Sequence, residues 1–159
     1  MGTLPQLIEE DVQLFEHELR ELLRETDATT AAIIDKGGFL ITAMGDDRTF
    51  DLTTIAALAS GAYMANQTIA NLVHETNFNS VYQQGEKMSM FVMCVDEFVL
   101  LTVIFRAQVS VGAVKYFATP ASARIAEQLV AAQQRDPGAG LDLSVLNLAD
   151  TSDLFRRRD

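Results

Sequence analysis

The side chains able to do chemistry are few in this sequence, and their spacing keeps them apart. The two histidines, His17 and His74, fall in separate segments. Neither has a cysteine or second histidine at zinc-ligand spacing. The single cysteine, Cys94, sits inside the apolar run Met90–Val95, where a thiol fills core rather than attacks. Asp46, Asp47 and Asp51 crowd one polar stretch, but nothing beside them would raise a carboxyl pKa, so they read as solvated loop acids. Met88, Met90 and Met93 resemble a sulfur cluster until their setting is considered. The whole strand around them is apolar, and core packing accounts for them. Neither G-x-x-x-x-G-K-[ST] nor G-x-G-x-x-G occurs, so no backbone cradle for nucleotide phosphates is present. These residues predict no catalytic centre, no metal site and no cofactor, and hence a protein that is not an enzyme.

Charge narrows the partners. The 159 residues carry a formal net charge of -10, with a pI near 4.5. Such a surface repels nucleic-acid phosphates and anionic lipid, so neither nucleic acid nor a membrane is expected as partner. One cysteine precludes an internal disulfide and fits a reducing, cytoplasmic setting. The N-terminus lacks the basic stretch of a secretory signal. No apolar run approaches the roughly 20 residues that span a bilayer. At 48% hydrophobic residues, one domain of this length buries roughly 70% of its unfolded surface without staples.

The elements follow from periodicity. Residues 5–26 predict an amphipathic helix opened by Pro5. It is led by Glu9, Glu10 and Asp11, where the helix dipole favours acids. Ile8, Val12, Phe15, Leu19 and Leu22 form its apolar face, and Glu10, Glu18, Glu21 and Glu25 are expected to point to solvent. Residues 29–43 predict a β-hairpin turning at Lys36-Gly37-Gly38. A polar loop follows, then a second helix over 52–75 with Asp51 as N-cap and His74 in its last turn. Ile55, Leu58, Ala62, Ala65, Ile69 and Leu72 are its expected buried stripe. Short Val81-Tyr82-Gln83 has the polar character of an edge strand. Met88–Val95 and Phe98–Phe105 are apolar at odd and even positions, which requires cover on both faces. Residues 110–134 keep helical spacing, with Thr119-Pro120 as a kink or restart. Asp136–Gly140 reads as a linker. Residues 1–135 are thus expected as one domain and 136–159 as linker and flexible C-terminal tail.

One surface asks for company. The second helix has no charge between Asp51 and Glu75. Its other stripe, Ala57, Gly61, Met64, Thr68 and Asn71, is short-chained and uncharged. A solvated face would carry Lys and Glu, so another chain is expected to approach closely there, with Val81, Tyr82 and Gln83 as a further contact.

The order helix, hairpin, helix, three strands, helix is combined with distinctive segments. These are Ala31–Ile34 followed by Asp35-Lys36-Gly37-Gly38, then Gln84-Gly85-Glu86-Lys87, and Val103-Ile104-Phe105 leading to Val109-Ser110-Val111-Gly112. Together they resemble the Roadblock/dynein-light-chain family, and within it the bacterial MglB-like GTPase-activating proteins, over about residues 5–135. The resemblance implies an α/β fold of order αββαβββα, a five-stranded, mainly antiparallel sheet with helices on both faces. It implies a homodimer paired through the second helix and the short edge strand. The paired helices would form a platform for a small Ras-like GTPase of the MglA type, in a polarity or motility module. Hydrolysis would be stimulated by arranging the GTPase's own groups, without an arginine finger; Arg48 and Arg106 are the arginines nearest loops of the domain, and neither has a finger's context. A scaffold dimer assembling a larger complex is the alternative. In the tail, read from its residues, either Arg156, Arg157 and Arg158 fold back onto the domain's own acids, or Leu154, Phe155 and Arg156 dock as an added partner contact.

Overall fold

In the computed structural model, residues 3–46 and 48–135 are described. The elements are α1 (Glu9–Thr26), β1 (Thr30–Asp35), β2 (Leu40–Gly45), α2 (Leu52–Leu72), β3 (Ser80–Gln83), β4 (Met88–Cys94), β5 (Val99–Arg106) and α3 (Val111–Gln134). This is the expected order. The strands form one antiparallel sheet in the order β2-β1-β5-β4-β3. β5 lies at its centre and is buried from Val99 to Phe105, as its two-sided apolar pattern requires.

Alternation along the strands sorts the core into two layers. Ile33, Phe91, Leu101, Val103 and Phe105 face α1 and α3, meeting Phe15, Leu19, Val114, Ile125 and Leu129. Ile34, Val92 and Leu100 face the opposite way, toward Ala56, Ala59 and Tyr63 of α2. The helices therefore cover both faces, two on one side and one on the other.

Several boundaries differ from expectation for local reasons. α1 begins at Glu9, not Pro5. Ile8 has no side chain that can cap, so the Asp11 carboxylate accepts the Ile8 N–H at 2.8 Å and sets the first turn there. Leu4 and Leu7, ahead of the helix, pack against the core instead. α2 ends at Leu72, and His74 lies beyond it at φ 63°, in the left-handed region, rather than in its last turn. α3 runs as one helix through Pro120, without a restart. The Thr119 hydroxyl donates to the Lys115 carbonyl at 2.7 Å in the turn before the proline.

Two expectations about burial are overturned. On α1, Glu18 is buried rather than solvated, and Asp11, expected only as a dipole-favoured acid of the first turn, is buried with it. They face α3, where Arg135 and Gln128 meet Asp11 and Arg124 meets Glu18 at 2.7 Å. On α2, the stripe expected inside is outside: Leu58 is 68% exposed, Ile69 56% and Leu72 74%. Ala62 and Ala65 are exposed with them, and Ile55 is half-buried. The helix instead lies down on Leu52, Ala56, Ala59, Ser60, Tyr63 and Ala70. Small Ala56, Ala59 and Ser60 let it approach the sheet closely. Tyr63 then reaches in beside Phe78, with ring centroids 5.1 Å apart. A helix apolar nearly all round has no single phase, so spacing alone cannot choose which stripe goes in.

Candidate interaction surface

α2 covers only part of its face of the sheet. Alongside it runs an apolar groove of about 500 Å³, walled by Ile55, Leu58 and Ala62 on the helix and by Met88, Met90 and Ile104 on the sheet, with Phe50 and Gln83 at its rim. The groove opens toward β3, which pairs only with β4 and ends the sheet on that side. Among the strands, β4 shows the effect most clearly. Met88 and Met90 are left half-exposed although their strand lies inside the sheet. Thr102 on β5 faces a small void beneath the start of α2, and its hydroxyl is buried without a partner.

The helix thus offers two distinct exposed faces. In one, Ile55, Leu58 and Ala62 wall the groove, and Ala65 and Ile69 continue the same helical stripe beyond it. The other, Ala57, Gly61, Met64, Thr68 and Asn71, is the stripe singled out in the sequence, and every member is exposed. Gly61 within it faces open space, since a Cβ added there would meet nothing within 4 Å, while Ala57 lies beside the hairpin tip at Gly38. The structure therefore separates these five residues from the edge strand rather than joining them to it. Val81 and Gln83 lie on the α2 side of β3, by their register opposite Val92 and Met90. Tyr82 points to the other side and stacks on Phe105 at 6.2 Å. Leu154, Phe155 and Arg156 lie outside the described residues, as does Asp47.

The remaining candidates have structural employment. The Asp46 carboxylate accepts from the Thr49 hydroxyl at 2.6 Å and from the N–H groups of Thr49 and Arg48, which holds its pKa below the ordinary value. Asp51 caps α2 through Thr54, whose hydroxyl and N–H lower its pKa in the same way. Cys94, at the end of β4, is half-buried; its thiol lies 3.1 Å from the Asp96 carbonyl oxygen. Burial pushes the neighbouring Tyr63 phenol well up, and Cys94 adds to that. Arg48 is exposed in the loop before α2, and Arg106 is exposed opposite Met88 at the end of the groove. No helix among the described residues is long and apolar enough to cross a membrane.

A model of the Roadblock/LC7 domain matches residues 14–105. The chain belongs to the Roadblock/LC7 domain family. Its structure is similar to MglB of Myxococcus xanthus, with 26% identity and a TM-score of 0.75, covering 82% of this chain and 98% of that one. It is also similar to the gliding protein MglB from Thermus thermophilus, with 29% identity and a TM-score of 0.74, over 82% of this chain and 99% of that one. An MglB described with a tetrameric arrangement matches at 28% identity and a TM-score of 0.76, over 83% and 99%. No curated protein sequence matches the chain. The expected fold and the MglB-like resemblance are thus both met by solved structures.

Sequence reasoning missed three features of this Roadblock domain. The groove is invisible in the sequence because its residues come from α2, the loop before it, and strands β3, β4 and β5, which only the fold assembles. Phe39 reads as the first residue of a strand, and nothing in its neighbours signals that its ring stands in solvent. The Asp11 and Glu18 contacts do leave a trace: seven residues apart, the two share one face of α1, and the last helix carries Arg124 with Arg135 at its end.

Proposed function

We infer that this chain is a homodimeric regulator that binds a small Ras-like GTPase of the MglA type and stimulates its GTP hydrolysis, acting in the cytoplasm without an active site of its own. The observation carrying this reading is the division of α2 into two exposed, uncharged faces on an MglB-like fold. The face over the groove suits a second copy. A helix laid against Leu58, Ala62 and Ile69 would fill the groove, and β3 would extend the sheet into its counterpart. The outward face, Ala57, Gly61, Met64 and Thr68, stays open in that dimer and suits the GTPase. Short side chains there allow its backbone to come close. A regulator of this build acts by positioning groups the GTPase already has; Arg106 lies opposite Met88 of the groove wall, and Arg48 stands in the loop before α2.

Single-turnover GTP hydrolysis by an MglA-type GTPase, with and without the chain, tests the reading. Acceleration by the wild type is expected. Gly61→Arg, which places a long cation on the outward face, should abolish acceleration and leave the dimer intact. Binding that is indifferent to GTP or GDP, with no change in rate, would instead favour a scaffold.

A further inference from the structure

The layer of α1 and α3 has an open hollow of its own. It spans about 750 Å³ where the first half of α3 passes the end of α1. Tyr116, Phe117 and Pro120 give it an apolar lining, Lys115 and Arg124 supply two cations, and Glu25 one acid. Tyr116 stands 73% exposed, its ring edge-on to Phe117 with centroids 5.0 Å apart. Two cations against one acid run counter to a chain whose net charge is -10. Arg124 already holds Glu18 at 2.7 Å, while Lys115 makes no ion pair among the described residues.

The chain's own C-terminal segment has the complementary composition. Residues 141–155 carry Asp142, Asp150 and Asp153 and no cation, with leucines and Phe155 among them; Arg156, Arg157 and Arg158 follow. We propose that this segment docks in the hollow of its own domain, Leu154 and Phe155 against Tyr116 and Pro120, Asp150 and Asp153 toward Lys115 and Arg124, and the arginines toward Glu25 and Asp27 at the end of α1. Direction and reach both favour it. Residues 136–159 continue from Arg135, which is held to Asp11 at the start of α1 at 2.9 and 3.0 Å. The two helices run antiparallel: Arg135 meets Asp11, Arg124 meets Glu18, and Lys115 and Tyr116 share the hollow with Glu25. Tyr116 precedes Arg135 by 19 residues, about 28 Å of helix. Leu154 follows Arg135 by 19 residues, and extended chain of that length covers roughly 60 Å. The segment thus reaches the hollow with slack, on the layer where it starts, whereas the groove beside α2 lies across the sheet. Tethering makes the contact intramolecular, so even a modest attraction keeps it formed. Docking of this kind needs no GTPase. A GTPase that recruits Leu154 and Phe155 has to draw them from the hollow.

The chain has no tryptophan, so Phe155→Trp in the full-length protein reports the surroundings of that position alone. Its emission should be blue-shifted from that of the same chain in denaturant and shielded from acrylamide, equally at every protein concentration. Adding Tyr116→Ser or Lys115→Glu, both at exposed side chains, should return the emission to the solvated wavelength and raise quenching, with the melting temperature unchanged. Three results would each overturn the docking: an indole that is solvated from the outset, one whose emission is unmoved by either one of the two added substitutions, or one that shifts to the blue only as concentration rises. The last would assign the segment to a contact between copies.

Discussion

Asp11 offers the sharpest test of the energetic reasoning. Its carboxylate is fully buried yet carries four hydrogen bonds: Ile8 N–H at 2.8 Å, Gln128 at 2.6 Å, and the two Arg135 nitrogens at 2.9 and 3.0 Å. Burial alone would raise its pKa above the ordinary 3.8. The Arg135 guanidinium, the Ile8 N–H and the Gln128 amide outweigh that and hold it below. Replacing Arg135 by alanine removes the paired cation and two of the four hydrogen bonds, leaving the Ile8 N–H and the Gln128 amide. A buried ion left unpaired costs about 3–5 kcal/mol. Since the Arg135 side chain is 23% exposed, water can partly replace it, and the low end, about 3 kcal/mol, is the better figure. For a domain of this size that is a fall in melting temperature of roughly 6–12 °C. The sign with pH follows from the depressed pKa. Stability from an ionised Asp11 is complete above the unfolded carboxyl's pKa and is lost as pH falls through the lower folded one. The gap in melting temperature between wild type and Asp11→Asn should therefore be full at neutral pH and close on acidification below about pH 4. Circular-dichroism melts of both variants across that range are the assay. An Arg135→Ala melting temperature within about 2 °C of wild type, or an Asp11→Asn gap that persists unchanged in acid, would refute the reasoning.

Other outcomes are equally definite. Leu58→Glu should dissociate the homodimer by more than about tenfold in sedimentation equilibrium while the monomer keeps its fold, because Leu58 is exposed until a second copy covers it. The isolated chain should show no heat of binding with GTP or ATP in calorimetry, since neither phosphate-loop motif occurs in its sequence. Deleting residues 141–159, with Leu154, Phe155 and Arg156, should leave the dimer intact and reduce stimulation of the GTPase. Unchanged stimulation would remove the tail from the mechanism.

The order of elements was legible because each carries its own local signal. Gly37 and Gly38 mark the hairpin, Asp51 the start of α2, and doubly apolar β4 and β5 the middle of a covered sheet. What failed was phase. In α1 the contrast between Phe15 or Leu19 and the acids identifies the inward face, yet it hides Asp11 and Glu18, whose burial depends on bases more than a hundred positions away. In α2 there is no contrast at all, so Leu58 and Ile69 looked more buriable than Ala56 and Ala59, which are the residues that touch the sheet. The outward stripe was visible for a different reason: it is marked by what it lacks, and absence of charge survives without knowledge of the fold. The groove was not visible, because its two walls, Leu58 and Met90, are brought together only by the sheet.

The unequal fastening of the two layers has a consequence for how the domain opens. α1 and α3 are joined by the ion pairs of buried Asp11 and Glu18 with Arg135 and Arg124 and by interlocking apolar side chains. α2 rests on small residues, beside an unfilled groove and above the unpartnered Thr102 hydroxyl. The two layers should then behave as separate cooperative units, with α2 amides exchanging through a low-energy local opening and α1 and α3 only through the global one. Filling the groove would close that gap by mass action. On the proposed dimeric reading, association would do more than bring two platforms together: it would set how long α2 holds the shape offered to a GTPase, so that recognition would rise and fall with the concentration of the chain itself.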